Sequence, residues 1–128
     1  MAIDMERARA RLEARRRERD ARLSEREERA RAAVQDILNL LIEKYAPVRV
    51  YQWGSLLRPG EFREWSDIDL AVEGLRGPLD GLRAADDASR LTDIPVDLVE
   101  LDRIDPRHAE TIRTEGRLLY ERANGRSE

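Results

Sequence analysis

Trp53-Gly54-Ser55-Leu56-Leu57-Arg58-Pro59-Gly60, followed after five residues by Ser66-Asp67-Ile68-Asp69-Leu70, decides the reading of this chain. Val48 to Trp53 alternates and is β-branched or aromatic, which predicts a strand. Gly54-Ser55 breaks it, Leu56-Leu57-Arg58 predicts a short helical turn, and Pro59-Gly60 marks a turn. Asp67 to Val72 predicts a second strand, in which Asp67 and Asp69 alternate with Ile68 and Leu70 and share one face. Two carboxylates side by side on an otherwise apolar strand repel unless something cationic stands between them.

A third acid repeats the pattern. Pro95 opens a strand over Val96 to Leu101, and Asp97 sits in it between Val96 and Leu98. If the second and third strands are neighbours, three carboxylates converge. An all-oxygen set of this kind suits Mg²⁺, which prefers a few carboxylates together with substrate phosphates. Such ions clamp the attacking and leaving oxygens of an in-line phosphoryl or nucleotidyl displacement. Upstream, Gly54 lets the backbone approach a phosphate closely, the helical turn after it offers free N–H groups, and Ser55 adds a hydroxyl donor.

Working outward, Gly74 to Pro78 is a loop, and Leu79 to Leu91 predicts a helix with Leu79, Leu82, Ala85 and Ala88 inward. Asp105-Pro106 is an N-cap followed by Pro at the first helical position. That helix runs to Glu115, Gly116 closes it at C′, and Arg117 to Tyr120 is a last strand. Residues 3–45 hold neither Gly nor Pro and are rich in Ala, Arg, Glu and Leu, so they predict one long helix. It would run about 60 Å. Ala30, Ala33, Val34, Ile37, Leu38, Leu41 and Tyr45 form an apolar stripe that faces the core. Before it, only Met5, Leu12 and Leu23 are large and apolar between residues 4 and 29, too few for a heptad seam. Glu13–Arg17, Glu18–Arg22, Glu25–Arg29 and Glu27–Arg31 stand at i,i+4, each adding about 0.2–0.5 kcal/mol. The segment reads as a solvated extension or as a docking arm.

The 128 residues thus divide into a charged helical extension (1–32), a core (33–122) and a disordered tail (123–128). The fold class is α+β (α/β), with a mixed sheet flanked by helices. The extension carries net charge +3 and the remainder −6, so no broad electrostatic case for duplex nucleic acid arises. The absence of cysteine excludes disulfides, thiolate metal sites and a Cys nucleophile, and a single His excludes a histidine metal cluster. No apolar run approaches a membrane span, and no secretory or transit leader is evident, which makes the cytoplasm the expected compartment.

The Gly-Ser, an eleven-residue spacer (56–66), Asp-x-Asp and the later Asp97 together resemble the minimal nucleotidyltransferases of the DNA polymerase β superfamily. The ending Glu115 to Tyr120 is similar to their closing helix and strand. There are two departures: Trp53 stands where Phe is usual, and Leu57 then Arg58-Pro59-Gly60 replaces a small residue and Arg-Gly. The resemblance implies that Asp67 and Asp69 hold two Mg²⁺ ions and that Asp97 completes one metal site and polarises the acceptor hydroxyl. It further implies that Gly54 and Ser55 hold the triphosphate, with Ser66 near the metals and Arg58 a phosphate contact. The reaction would move AMP from ATP to a hydroxyl and release pyrophosphate.

Larger members bind base and acceptor on a second, helical domain, for which this chain has no room. The resemblance therefore implies a borrowed surface, in a homo- or hetero-oligomer. In the resembling group the partner is a HEPN-domain toxin, whose tyrosine is adenylylated by its antitoxin. The alternatives are an antitoxin acting by contact alone and an adenylyltransferase of a small molecule such as an antibiotic. Of the remaining residues, His108 reads as a surface side chain, Trp65 as a loop-packing aromatic, and Tyr51 and Tyr120 as core. Glu61, Arg63 and Glu64 read as part of a mobile, solvent-facing loop.

Overall fold

A computed structural model describes residues 4–123. The tail expected from 123 onward lies, beyond its first residue, outside the described residues.

The first element is a single helix, α1, Met5–Tyr45, capped by the Asp4 side chain accepting from the Arg7 N–H. It ends where Ala46 turns left-handed ahead of Pro47, which cannot continue a helix. All seven members of the apolar stripe are buried. Of the i,i+4 pairs, Glu27–Arg31 closes at 2.9 Å and Glu13–Arg17 at 3.7 Å. Among the described residues Glu18 and Arg22 form no ion pair, and Arg29 reaches Asp93 instead, at 3.0 Å.

The core sheet contains β1 (Arg49–Trp53), β2 (Ile68–Glu73), β3 (Val96–Glu100) and β4 (Arg117–Glu121), in the order β3-β2-β1-β4. β2 and β3 run parallel, and the other pairs are antiparallel. The parallel pair requires a crossover, supplied by α2, Asp80–Ser89. The third helix, α3, Pro106–Glu115, has its N-cap where Asp105 accepts from the Arg107 N–H at 2.8 Å.

Alternation along the strands separates two faces. Val50, Ile68, Leu70 and Val72 pack under α1 and α2, whereas Tyr51, Ala71 and Val99 meet Ala109 and Ile112 of α3. Glu73 fastens the α3 side, accepting from Arg49 at 3.1 Å and Arg113 at 2.8 Å. No helix of the described residues is long and apolar enough to cross a membrane.

One local expectation fails. In α2 the inward positions are Ala84 and Ala88, while Leu79 and Leu82 are 50% and 73% exposed. The helix lies close to the sheet: a Cβ on Gly81 would overlap the Glu100 carboxylate, so small side chains form the seam and the leucines turn outward. Gly116 closes α3 as expected, its N–H donating to the Ile112 carbonyl at 2.8 Å, with φ of −81°. Glycine is needed there because a Cβ would stand 2.6 Å from the Ile112 carbonyl oxygen and 2.8 Å from that of Gln52.

Candidate active site

The register brings the acids to one end of the sheet. Asp69 lies opposite Trp53 of β1 on one side and opposite Asp97 of β3 on the other. Adjacent strands are about 4.8 Å apart, and Asp69 and Asp97 occupy the face that also carries Ala71 and Val99. Asp67 precedes β2 by one residue and is exposed, as is Asp97, while Asp69 is half-buried. Burial, then the charges of Asp97 and Asp67, push the Asp69 carboxyl up to about 6. The three side chains therefore share one electrostatic field.

They do not close on a common point. Among the described residues no group of three or more acidic or histidine side chains is gathered tightly enough to hold an ion. The three carboxylates are neighbours by register and charge, and no tighter cluster is present among the described residues. The donor set nonetheless fits a divalent cation, because it is all oxygen, adjacent in register, and centred on a carboxylate whose charge nothing offsets.

Gly54 stands directly against this group. Its φ of +86° with ψ of −167° is open to glycine almost alone, and a Cβ there would fall inside the Asp69 carboxylate. Ser55 to Leu57 then forms one 3-10 turn, with Leu57 N–H donating to the Gly54 carbonyl at 3.2 Å. Among the described residues the Ser55 hydroxyl makes no hydrogen bond.

Arg58 and Ser66 are already engaged. Arg58 donates to Glu61 at 2.6 Å, which raises its pKa further. The Ser66 hydroxyl oxygen accepts from the Arg63 N–H at 2.8 Å, which closes the spacer and leaves its O–H to donate. Trp65 is 77% exposed and not packed into its loop.

Other neighbours escaped sequence reasoning. His108 is exposed, as expected, but it also meets Trp53 edge-on at 5.5 Å between ring centroids. Among the described residues the buried Trp53 indole Nε1–H meets no partner. The spacer is anchored: Phe62 is 1% exposed, and α1 grips the loop through Arg26 and Glu27. A lone Phe among charged residues was the available signal.

Residues 35–125 match the family model described as polymerase beta, nucleotidyltransferase. The chain belongs to this family and is a nucleotidyltransferase. Among solved structures, it is similar to a minimal nucleotidyltransferase at 35% identity and TM-score 0.59, over 70% of this chain and 92% of that one. The fold is shared with the toxin–antitoxin MntA-HepT, at 22% identity and TM-score 0.56, over 71% of this chain and 72% of that one. It is shared too with a tri-AMPylated Shewanella oneidensis HEPN toxin in complex with MNT antitoxin, at 22% identity and TM-score 0.55, over 72% of each chain. Comparison with the curated proteins found no match.

Proposed function

We propose that this chain transfers AMP from ATP to a protein hydroxyl, a tyrosine of a HEPN-domain toxin, as the antitoxin of a toxin–antitoxin pair. The observation that carries the reading is Asp69, set in register beside Asp97, two residues from Asp67 and against the glycine of the Gly54-Ser55 turn. The acceptor is suggested by a shared fold with a complex whose toxin carries three AMP groups.

Asp67 and Asp69 would hold two Mg²⁺ ions, with Asp97 completing one site. When bound, the metals neutralise charge on the transferring phosphoryl group and on the leaving pyrophosphate. The chain's own residues do the rest. Gly54 leaves room for the triphosphate beside Asp69, and Ser55 donates its hydroxyl to a phosphate oxygen. Asp97, exposed at the rim, accepts the proton of the acceptor hydroxyl as its oxygen attacks the α-phosphorus. The bond from that phosphorus to the pyrophosphate oxygen breaks, and pyrophosphate leaves. Arg58 holds Glu61 through Nε, which leaves its Nη groups to donate to a phosphate oxygen.

The test combines purified protein, ATP, Mg²⁺ and the product of the neighbouring gene, with an Asp67→Ala/Asp69→Ala variant in parallel. AMP on the partner's tyrosine that vanishes in the variant supports the reading. Neutralisation of the partner that survives in the variant, with no AMP transferred, replaces it with neutralisation by contact.

A further inference from the structure

We propose that Arg26 and Glu27 of α1 are positioning residues of the transfer site: by fastening the loop of residues 60–66 to the helix they set where Asp67 stands. This rests on the function proposed above, and it gives the charged helix a part in that site.

Asp67 is exposed, so packing around its side chain does not locate it. Its backbone does. On one side the Ser66 carbonyl accepts from Arg26 Nη2 at 3.1 Å, and because the peptide unit is planar, that bond orients the Ser66–Asp67 link. On the other side the Ile68 N–H donates to the Pro95 carbonyl at 2.9 Å, tying the start of β2 to the entry of β3. Asp67 is the residue between these two anchors.

Arg26 does more than hold Ser66. Its Nε donates to the Arg63 carbonyl at 3.1 Å, and its guanidinium lies 5.4 Å from the centre of the buried Phe62 ring. One planar group thus grips two peptide carbonyls three residues apart while covering an aromatic face, a combination an ammonium cannot reproduce. Glu27 fixes the loop's beginning. Its Oε1 accepts from the Gly60 N–H at 3.1 Å, and Arg31 holds its other oxygen at 2.9 Å. These contacts hold the Glu27 carboxyl below its usual range. Between the two, Ser66 and Arg63 close a turn through their own reciprocal bonds, at 2.8 and 3.1 Å. The loop that joins the Gly54-Ser55 turn to the paired aspartates is therefore built against α1.

The test uses Arg26→Lys, Arg26→Gln and Glu27→Gln in the full chain, with Arg17→Ala, which breaks an exposed pair elsewhere on α1, as control. Two quantities are read. Amide hydrogen exchange over residues 60–66 in metal-free protein reports the fastening. Binding of Mn²⁺ alone, followed by the signal of the free ion, reports the alignment of Asp67. The expected result is faster exchange in all three variants and Mn²⁺ affinity lowered roughly tenfold, the scale seen when groups that orient a metal ligand are lost. Melting temperatures, read beside these, should fall only slightly below the control, because the fastening of one loop is lost and the core is kept. Failure of Arg26→Lys to rescue marks loss of the fork rather than of charge.

Exchange left unchanged overturns the proposal, and so does faster exchange with undiminished Mn²⁺ affinity. Wild-type protein that binds no Mn²⁺ overturns the metal-dependent function and, with it, the alignment of Asp67. Exchange by itself then decides whether the helix holds the loop.

Discussion

Asp69 is the residue on which charge and geometry meet. Its carboxyl, pushed up to about 6 by burial and by Asp97 and Asp67, favours the protonated form in the folded chain. A raised acid stabilises the fold fully below its unfolded value of about 3.9, and that contribution is lost as pH rises through 6. In metal-free protein with chelator, Asp69→Asn should therefore raise stability at pH 7 by about 1–2 kcal/mol, discounted for partial exposure, and change little at pH 3.5. Urea titrations at both pH values check it; equal effects at the two would contradict the coupling. Gly54 gives the complementary case. Gly54→Ala forces an alanine to positive φ, at about 1–2 kcal/mol, and drives a Cβ into the Asp69 carboxylate. AMP transfer should fall by about 10²-fold. Gly60→Ala also takes an alanine to positive φ, but its Cβ meets nothing within 4 Å, so it should lose stability and leave the Asp69 carboxylate in place. The pairing of Gly54 with Asp69 was half legible. A glycine after a strand and an aspartate within one are visible in sequence, but their contact depends on the antiparallel register of β1 and β2.

At the scale of elements, α1 shows where sequence pattern is informative and where it is silent. Residues 30–45 repeat apolar side chains at helical spacing, and burial follows that pattern throughout. Arg26 and Glu27 sit in a segment saturated with Arg and Glu, where a side chain gripping a distant carbonyl looks the same as a solvated one. A chain beginning at residue 23 should accordingly keep its melting temperature, whereas one beginning at residue 30 loses Arg26, Glu27 and Arg29 and should melt earlier. Thermal scans of the two distinguish a structural half from an overhanging one. In α2 the pattern misled, because side-chain size was taken as a guide to burial while the close seam of helix and sheet selects alanine. Leu82→Ser should stay within about 0.5 kcal/mol of wild type, and Ala84→Leu should cost about 1–3 kcal/mol. Denaturant midpoints of the two variants settle which face is inward.

For the molecule as a whole, topology turns scattered acids into a site. The crossover through α2 places β3 parallel to β2, so residues 67, 69 and 97 share one sheet end although 27 positions separate Asp69 from Asp97. Sequence order and strand-end placement made that neighbourhood legible, and the family match spans all three residues. What remained hidden is how the burial of Asp69 sets it apart from its two exposed neighbours, because that depends on the packing around the strand and no motif encodes it. The central claim is that this arrangement moves a nucleoside monophosphate. The direct measurement offers the protein, with Mg²⁺ and the HEPN-domain partner, ATP labelled on either the α- or the γ-phosphate. Label from the α-phosphate alone, bound to a partner tyrosine and absent with Asp67→Ala/Asp69→Ala, is the predicted result. Transfer of the γ-label, or no transfer of either while the partner is still neutralised, would contradict it.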